Sequence, residues 1–273
     1  MAVGSTGDLF LVGCGKMGGA MLSGWLDQGV APTSITIIEP NDDALSASLQ
    51  AGITRCRAAD ELADKAAPDI IVFAVKPQVM DEVAPPYARF APDATFLSIA
   101  AGKTIAEFEA LLGSGAAIIR VMPNTPAAVR RGISVAAANG AVNAKARARA
   151  VDLLNTVGEV AWIEDEGLMD AVTALSGSGP AYVFHLTACM TKAGIRAGLP
   201  EDLARQLARA TVAGSGALMV ESGEAAEQLR RNVTSPGGTT EAALAVLMEG
   251  NAMQKLLTKA ILAATNRSRK LAG

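Results

Sequence analysis

The sequence predicts an α/β protein with an N-terminal Rossmann-type doubly wound sheet and an all-α C-terminal domain. Short apolar runs alternate with Ala-rich helical stretches up to about residue 164, and no convincing strand follows that point. Strands that are apolar on both faces and alternate with helices are typical of a parallel sheet covered on each side. We therefore expect two domains, over residues 1–164 and 165–273.

The elements of the first domain follow from hydrophobic periodicity. The predicted strands are the apolar, β-branched runs at residues 9–12, 35–39, 70–75, 95–99, 118–121, 133–137 and 160–163. Helices are predicted between them, at residues 17–28, 42–51, 59–66, 79–88, 105–112 and 144–156. Right-handed crossovers between parallel strands then produce the doubly wound arrangement.

The second domain is predicted to be helical throughout. Its helices are expected at residues 167–175, 180–197, 201–221, 225–231, 239–249 and 252–269. Their apolar positions extend around much of the helix circumference, and helices of that kind must be buried. A segment of roughly 105 residues is too small to bury this surface alone, so we predict a homodimer formed through these helices.

Composition and charge exclude several classes of protein. Half of the residues are hydrophobic and 19% are charged, which excludes a disordered chain. The 24 basic and 27 acidic residues give a net charge of −3, which argues against a nucleic-acid-binding face. No run approaches the ~18 consecutive apolar residues of a membrane span, and the N-terminus lacks the basic start of a signal peptide.

Cysteine and histidine content argue against a metal site. Cys14, Cys56 and Cys189 are widely separated and lack CxxC spacing, which favours free thiols in a reducing cytoplasm. The single histidine, His185, lies in an apolar helix and is interpreted as a packed residue rather than a catalyst.

A glycine-rich turn after the first strand predicts a dinucleotide site. The pattern GxGxxG makes a tight turn, lets a pyrophosphate approach the backbone and permits close packing of strand and helix. The phosphates are expected at the start of the following helix. The predicted contacts are Gly13, Cys14, Gly15, Lys16, Met17 and Gly18. A tight turn that binds no ligand is the alternative.

The residues after the second strand bear on the choice of cofactor. Glu39 lies 21 positions after Gly18, where an acid hydrogen-bonds the adenosine ribose 2′-OH. This placement favours NADH, because a carboxylate repels the 2′-phosphate of NADPH. No arginine adjoins Glu39 in the sequence, but the loop that contains Asn41 could swing to bind a phosphate. NADPH and NADH therefore both stay open as the cofactor.

Loops after the later strands are expected to extend the cofactor site, because open α/β sheets bind ligands at the carboxyl ends of their strands. The predicted contacts are Val75, Lys76 and Pro77, then Ala100, Ala101 and Gly102, and finally Asn124. The small residues at 100–102 suit a flat ring. A solvent-pointing Lys76 and a purely structural turn at residues 122–126 are the alternatives.

Two Gly/Ser-rich segments each open a helix in the second domain. Ser178 precedes Pro180 in one segment, and Gly237 and Gly238 precede Thr239 in the other. Bare backbone N–H groups beside threonine hydroxyls at a helix start attract a small carboxylate. Helix capping without a ligand is the alternative at both places.

The absence of several catalytic motifs limits the types of reaction that the protein could catalyse. The sequence has no nucleophile elbow, no Walker loop, no metal-ligand cluster and no obvious histidine base. A hydroxyacid dehydrogenase needs a group that moves the alcohol proton, whereas a protonated C=N substrate accepts a hydride directly. For a C=N substrate the protein chiefly has to orient the two reactants.

Four segments resemble those of the pyrroline-5-carboxylate reductase family, and the resemblance extends over about residues 9–269. They are VKPQ at 75–78, MPNTP at 122–126, LSGSGPAY at 175–182 and VTSPGGTT at 233–240. The resemblance implies reduction of Δ1-pyrroline-5-carboxylate to L-proline with NADPH or NADH, the last step of proline biosynthesis. It also implies a Rossmann domain followed by a helical dimerisation domain, with homodimers that often associate into decamers.

The resemblance further implies where the substrate binds. The implied contacts are Ser178, Val233, Gly237, Gly238, Thr239 and Thr240, with the Thr240 hydroxyl on the substrate carboxylate as the catalytic contact. The chain departs from many relatives at Ala58-Ala59-Asp60, where they carry an asparagine, and at Glu39, where they carry small polar residues. Both departures concern the choice between NADH and NADPH.

Two other functions are compatible with a dinucleotide-binding domain followed by helices. A β-hydroxyacid-type dehydrogenase would place a helical lysine near its substrate, and Lys192 is the comparable residue here. A protein that binds the dinucleotide without turnover is the alternative from a different class.

Overall fold

The structure is a computed structural model that describes residues 7–42 and 52–272. Its chain divides into two compact units, Met1–Gly177 with Ala264–Gly273, and Ser178–Ala263. The boundary at residue 164 stays a prediction. The helix predicted over residues 42–51 lies outside the described residues apart from Asp42.

The first unit contains one eight-stranded sheet. The strands are β1 (Leu9–Val12), β2 (Ile35–Ile38), β3 (Thr54–Cys56), β4 (Ile70–Phe73), β5 (Thr95–Ser98), β6 (Ala117–Met122), β7 (Gly132–Ala138) and β8 (Gly158–Trp162). They lie in the order β3-β2-β1-β4-β5-β6-β7-β8. The seven predicted strands are present, with ends that differ from the prediction by at most two residues, and β3 was not predicted.

One pair of strands departs from the predicted parallel sheet. Strands β6 and β7 are antiparallel, whereas all other neighbouring strands are parallel. The connection from β6 to β7 is residues 123–131, which contain only a short 3-10 turn. A parallel neighbour would need a crossover of about a dozen residues or more, so the short connection reverses the chain direction.

Helices connect the strands and make up the second unit. They are α1 (Lys16–Asp27), α2 (Met80–Val83), α3 (Ile105–Leu112), α4 (Ala144–Asn155), α5 (Met169–Val172), α6 (Gly179–Arg196), α7 (Glu201–Ser222), α8 (Ala226–Asn232), α9 (Thr239–Met248) and α10 (Ala252–Ala272). Three predicted helices are shorter or differently wound: 3-10 turns occupy Ala59–Leu62 and Pro85–Phe90, and a π turn occupies Thr173–Gly177. Prolines at 85 and 86 end α2 because proline lacks the N–H that a helix interior requires.

Successive side chains along each strand point to opposite faces of the sheet, and a hydrophobic core lies on each face. Leu9 and Leu11 of β1 pack with Trp25 of α1 on one face. Phe10 and Phe73 pack in an aromatic cluster on the other. The two cores fix the sheet, and the parallel strands β1, β4, β5 and β6 end at the same edge.

The second unit has the opposite character, since its helices leave large apolar side chains exposed. No residue of α6, α8 or α9 is buried, and α7 buries only two alanines, Ala204 and Ala208. Phe184 is 66% exposed and Val246 is 70% exposed. None of the described helices combines the length and the apolar character that crossing a bilayer requires.

Candidate active site

Three glycines shape the turn between β1 and α1. Gly13 has a φ of +90°, and a Cβ there would lie 2.7 Å from the Val75 side chain. A Cβ on Gly18 would collide with the Gly13 carbonyl oxygen, so α1 packs directly on the turn. A Cβ on Gly15 would meet no atom within 4 Å among the described residues. The backbone at Gly15 therefore faces open space.

The start of α1 offers backbone N–H groups to an anion. Gly15 occupies the N-cap position, where no side chain of the described residues caps the helix, and the first turn has no acidic residue. The first N–H groups of a helix have no partner within it, and the helix dipole favours negative charge there. This uncapped start, together with the open space at Gly15, fits the pyrophosphate of a dinucleotide.

Glu39 lies at the end of β2 as expected, but its carboxylate already accepts hydrogen bonds from two backbone N–H groups. Its Oε2 accepts a hydrogen bond from the Cys14 N–H at 2.8 Å, and its Oε1 accepts one from the Asn41 N–H at 2.9 Å. The carboxylate thus ties the glycine turn to the loop after β2. A ribose 2′-OH would have to share this carboxylate with the protein's own N–H groups.

Two arginines that sequence reasoning missed stand beside Glu39. Arg55 of β3 donates from Nη2 to the Glu39 carbonyl oxygen at 3.3 Å and also pairs with Asp42. Arg57 donates to both carboxylate oxygens of Asp42, at 3.1 and 3.0 Å. The parallel pairing of β3 with β2 brings these arginines to the end of β2. The end of β2 therefore has two guanidinium groups beside it as well as the predicted carboxylate.

The thiol of Cys14 is not a nucleophile in this environment. Burial and the nearby Glu39 carboxylate raise the pKa of the Cys14 thiol to about 11. The thiol therefore stays protonated at neutral pH, and it is the thiolate that reacts. Cys14 contributes its backbone N–H and its packing, since the side chain is 2% exposed.

The loops after β4 and β5 form the next part of the same edge. Val75 lies against the glycine turn, Lys76 is exposed, and Pro77 begins a 3-10 turn. After β5, Ala100 is buried with its N–H on the Ser98 hydroxyl, Ala101 is exposed, and Gly102 has a φ of +81°. These small residues leave room beside the backbone, as a flat ring requires.

Asn124 holds two loops together through both ends of its amide. Its Oδ1 accepts a hydrogen bond from the Ile133 N–H at 3.0 Å, and its Nδ2 donates to the Ser176 carbonyl and hydroxyl oxygens at 3.4 Å. Ser176 belongs to the π turn at Thr173–Gly177, and π turns are frequent at functional sites. The side chain of Asn124 therefore fixes the loop after β6 against that turn.

The start of α9 is the second uncapped helix start that follows a glycine. Gly237 has a φ of +71° and donates its N–H to Glu241 Oε2 at 2.8 Å. Gly238 is the N-cap, and no side chain of the described part of the chain caps the helix there. Thr239 is exposed, Thr240 is half-buried in the first turn, and Val233 is 62% exposed at the end of α8. The N–H groups and hydroxyls of this turn can hold a carboxylate.

The start of α6 and its outer face were also singled out by the sequence. Ser178 is the N-cap of α6 but makes no side-chain cap to the described residues. Lys192 is exposed and lines an apolar hollow of about 690 Å³ between α6 and α7. His185, expected to be packed, is exposed in the single chain, with Nε2 3.6 Å from Cys189 Sγ. Both residues lie within α6, far in sequence from the uncapped starts of α1 and α9.

The predicted residues fall into two groups by unit. Residues 13–18, 39, 41, 75–77, 100–102 and 124 lie in the first unit, and residues 178, 233 and 237–240 lie in the second. Within residues 7–42 and 52–272, no three or more His, Cys, Asp or Glu side chains form a group able to hold a metal ion.

Comparisons with known proteins identify relatives of both halves of the chain. Residues 166–271 match the family described as pyrroline-5-carboxylate reductase dimerisation. Residues 9–102 match the family described as NADP oxidoreductase, coenzyme F420-dependent.

Similarity to individual proteins extends over the full chain. A pyrroline-5-carboxylate reductase of Pseudomonas aeruginosa is 39% identical over 98% of both chains. The solved structure of the Coxiella burnetii reductase has a TM-score of 0.92 at 33% identity, covering 98% of this chain and 100% of that one. The Plasmodium falciparum reductase, solved with NADP bound, has a TM-score of 0.82 at 30% identity, covering 97% and 98%.

Proposed function

The chain belongs to the pyrroline-5-carboxylate reductase family, and we propose that it binds its dinucleotide at residues 13–18 and the carboxylate of its substrate at the start of α9. It reduces the C=N bond of Δ1-pyrroline-5-carboxylate with NADPH or NADH, and the product is L-proline. The single observation that carries the proposed sites is the pair of uncapped helix starts that follow Gly15 and Gly238.

The first unit supplies the cofactor site. The backbone of Gly15, Lys16, Met17 and Gly18 at the uncapped start of α1 would hold the pyrophosphate. The loops after β4, β5 and β6 line the nicotinamide side; they contribute Val75, Lys76, Pro77, Ala100, Ala101, Gly102 and Asn124. When bound, the dihydronicotinamide supplies the hydride, and the chain's own residues fix the ring. The NADP-bound relative supports NADPH as a cofactor of this chain.

The start of α9 supplies the substrate site. The substrate is a cyclic imine that carries one carboxylate, and the N–H groups of the first turn of α9 receive that carboxylate. Thr240 adds a hydroxyl donor, and Val233, Gly237, Gly238, Thr239 and Ser178 complete the site. The protonated imine nitrogen already carries its hydrogen, so the protein needs no acid to complete the reduction. Its task is to orient the imine carbon toward the hydride donor. Such orientation can remove a large part of the activation barrier of the reaction.

The proposed function is tested by following the absorbance of reduced nicotinamide with Δ1-pyrroline-5-carboxylate as substrate. We expect NADPH or NADH to be consumed in proportion to the proline formed. Formation of reduced cofactor from NAD(P)+ and hydroxyacids, with no oxidation of NAD(P)H by the imine, would favour the β-hydroxyacid-type alternative. Cofactor binding with no oxidation of either cofactor would favour the non-catalytic alternative.

Thr240 is tested by replacing its hydroxyl. We expect Thr240→Ala to raise KM for the imine by about tenfold, because one hydrogen bond to a charged group is lost. The variant should also lower kcat through misorientation, while the Kd for NADPH changes little. Thr240→Ser keeps the hydroxyl and serves as the control. Unaltered kcat and KM in Thr240→Ala would remove this residue from the site.

Assembly and compartment complete the proposal. The chain forms a homo-oligomer, and we propose homodimers that associate further into decamers. We place the reaction in the cytoplasm. Free thiols at Cys14, Cys56 and Cys189 support a reducing compartment.

A further inference from the structure

We propose that Arg55 and Arg57 form the binding site for the adenosine 2′-phosphate of NADPH, and that the Asp42 carboxylate fills this site when no cofactor is bound. The inference rests on the dinucleotide site of the proposed function, and it identifies the residues that discriminate NADPH from NADH there.

Both arginines lie beside the end of β2. The end of the second strand of a dinucleotide-binding fold is where the adenosine ribose binds, with its 2′ position toward the residue that ends the strand. Glu39 holds that place, and Arg55 Nη2 lies 3.3 Å from its carbonyl oxygen. Arg57 follows β3 directly, and both guanidinium groups contact Asp42 in the loop after β2.

The contacts of both arginines with Asp42 have the geometry of an anion site. Two guanidinium groups converge on one carboxylate, because Arg55 pairs with Asp42 Oδ1 and Arg57 pairs with both of its oxygens. Guanidinium groups bind carboxylate and phosphate with the same forked geometry. An Asp42 carboxylate held in this way occupies the position that a phosphate would take.

Arg55 has a hydrogen-bond donor that the described residues leave unused. The Nε of Arg55 is buried and has no hydrogen-bond partner among the described residues. A buried donor without an acceptor is costly, and a phosphate has more acceptor oxygens than the Asp42 carboxylate does. Arg57 is exposed enough to follow a ligand, with 62% of its side chain accessible.

Charge explains why the carboxylates nearby do not exclude the phosphate. The Glu39 carboxylate is directed toward the N–H groups of Cys14 and Asn41. Asp42 is the competing anion: the hydrogen bond from Arg55 leads the effects that lower its pKa, so it is ionised at neutral pH. It is also exposed, and an exposed ion pair contributes little to stability, so a phosphate can displace it.

The test compares binding of 2′,5′-ADP and 5′-AMP, measured by calorimetry on the wild-type chain and four variants. These probes differ only by the 2′-phosphate. We expect wild type to bind 2′,5′-ADP more tightly. Arg55→Gln or Arg57→Gln should reduce the ratio of the two affinities by roughly tenfold, the effect of one charge-assisted hydrogen bond. Asp42→Asn should increase the ratio by about two- to fivefold, the range of an exposed ion pair.

Asp27→Asn is the matched control, because Asp27 forms a comparable ion pair with Arg130 at 2.7 Å elsewhere in the same unit. It should leave the ratio unchanged. Equal affinity of wild type for the two nucleotides would overturn the proposal, and so would an unchanged ratio in Arg57→Gln, whose exposed side chain is not needed for folding. Imine reduction measured with NADH, which lacks the 2′-phosphate, tests the proposed function separately.

Discussion

At the scale of single residues, the glycines of the nucleotide turn have separable roles. Gly18 has no space for a side chain, because a Cβ there would collide with the Gly13 carbonyl oxygen. Gly15 has that space, and its missing side chain leaves the helix start open to a ligand. We therefore expect Gly18 to be required for folding and Gly15 for binding, although the sequence pattern presents them alike.

This difference predicts that one alanine substitution lowers stability and the other weakens cofactor binding. We expect Gly18→Ala to lower the free energy of unfolding by about 1–3 kcal/mol through overpacking. Gly15→Ala should leave stability nearly unchanged and raise KM for NADPH by about tenfold or more, because the methyl group displaces the pyrophosphate. Urea denaturation and steady-state kinetics on both variants measure the two effects. Equal loss of stability in the two variants would contradict the assignment.

Glu39 illustrates how far sequence reasoning reaches at a single residue. Its place at the end of the second strand was predicted, because the spacing from Gly18 is characteristic of the fold. Its contacts were not: the Asn41 N–H is a local partner two residues away, but the Cys14 N–H reaches the carboxylate only because β1 and β2 pair in the fold. Arg55 lies 16 positions along the chain, and nothing local marks it as a neighbour of Glu39.

At the scale of elements, the helix starts of the first unit differ in how their N–H groups are satisfied. Helix α3 begins with a full capping box, in which the Thr104 hydroxyl accepts from the Glu107 N–H and the Glu107 carboxylate accepts from the Thr104 N–H. Asn143 caps α4 in a similar way. Helix α1 begins after Gly15 without such a cap. Side chains thus satisfy N–H groups at the starts of α3 and α4, whereas those at the start of α1 stay available to the ligand that we propose there.

The capping box of α3 predicts a pH-dependent stabilisation. Burial by itself would raise the pKa of the Glu107 carboxyl, but hydrogen bonds from Thr104 and the nearby Lys103 outweigh it and hold this pKa below 4.5. A lowered pKa stabilises the folded state above pH 4.5, and this contribution disappears as the pH falls through the folded-state pKa. We expect Glu107→Gln to be destabilised relative to wild type at pH 7, with the difference closing at acid pH.

Removing the other half of the box should also be measurable. Thr104→Ala is expected to cost about 1 kcal/mol of unfolding free energy. Urea denaturation at fixed protein concentration between pH 3 and pH 7 measures both variants, with the exposed Glu164→Gln as control. A Glu107→Gln difference that is constant across this range would contradict the role of the ionised carboxylate.

Elements were predicted where local pattern determines them and missed where neighbours do. Strand β1 is a run of four buried apolar residues, and periodicity alone identifies it. Strand β3 has three residues and only one that is buried, so its pairing with β2, not its sequence, makes it a strand. The antiparallel β7 carries the same apolar pattern as a parallel strand, and only the short connection at residues 123–131 distinguishes them.

At the scale of the whole molecule, the exposed apolar helices require a partner. Soluble monomers rarely leave large contiguous apolar patches in contact with water. In the second unit Phe184 of α6, Val246 of α9 and Leu256 of α10 are each about two-thirds exposed or more. The homo-oligomer predicted from these all-round apolar helices agrees with the dimerisation family that residues 166–271 match.

A charge placed on this apolar surface should therefore act on assembly. We expect Phe184→Asp to weaken association by roughly 2–4 kcal/mol, as for a buried aromatic residue at the centre of an interface. Sedimentation at micromolar concentration should shift toward the mass of one chain. The thermal midpoint should fall, because association with a second copy stabilises the folded chain by mass action.

Val129→Asp is the matched control for this change. Val129 is 71% exposed but lies in the first unit, outside the residues that match the dimerisation family. The same substitution there adds the same charge to an equally exposed valine and should leave the sedimenting mass unchanged. If Phe184→Asp keeps the wild-type mass, or if wild type is a stable monomer at micromolar concentration, the helices are not covered by a second chain. The apolar surface of α6 would then need another partner, because burial of such surface in water is favourable at about 25 cal/mol per Å².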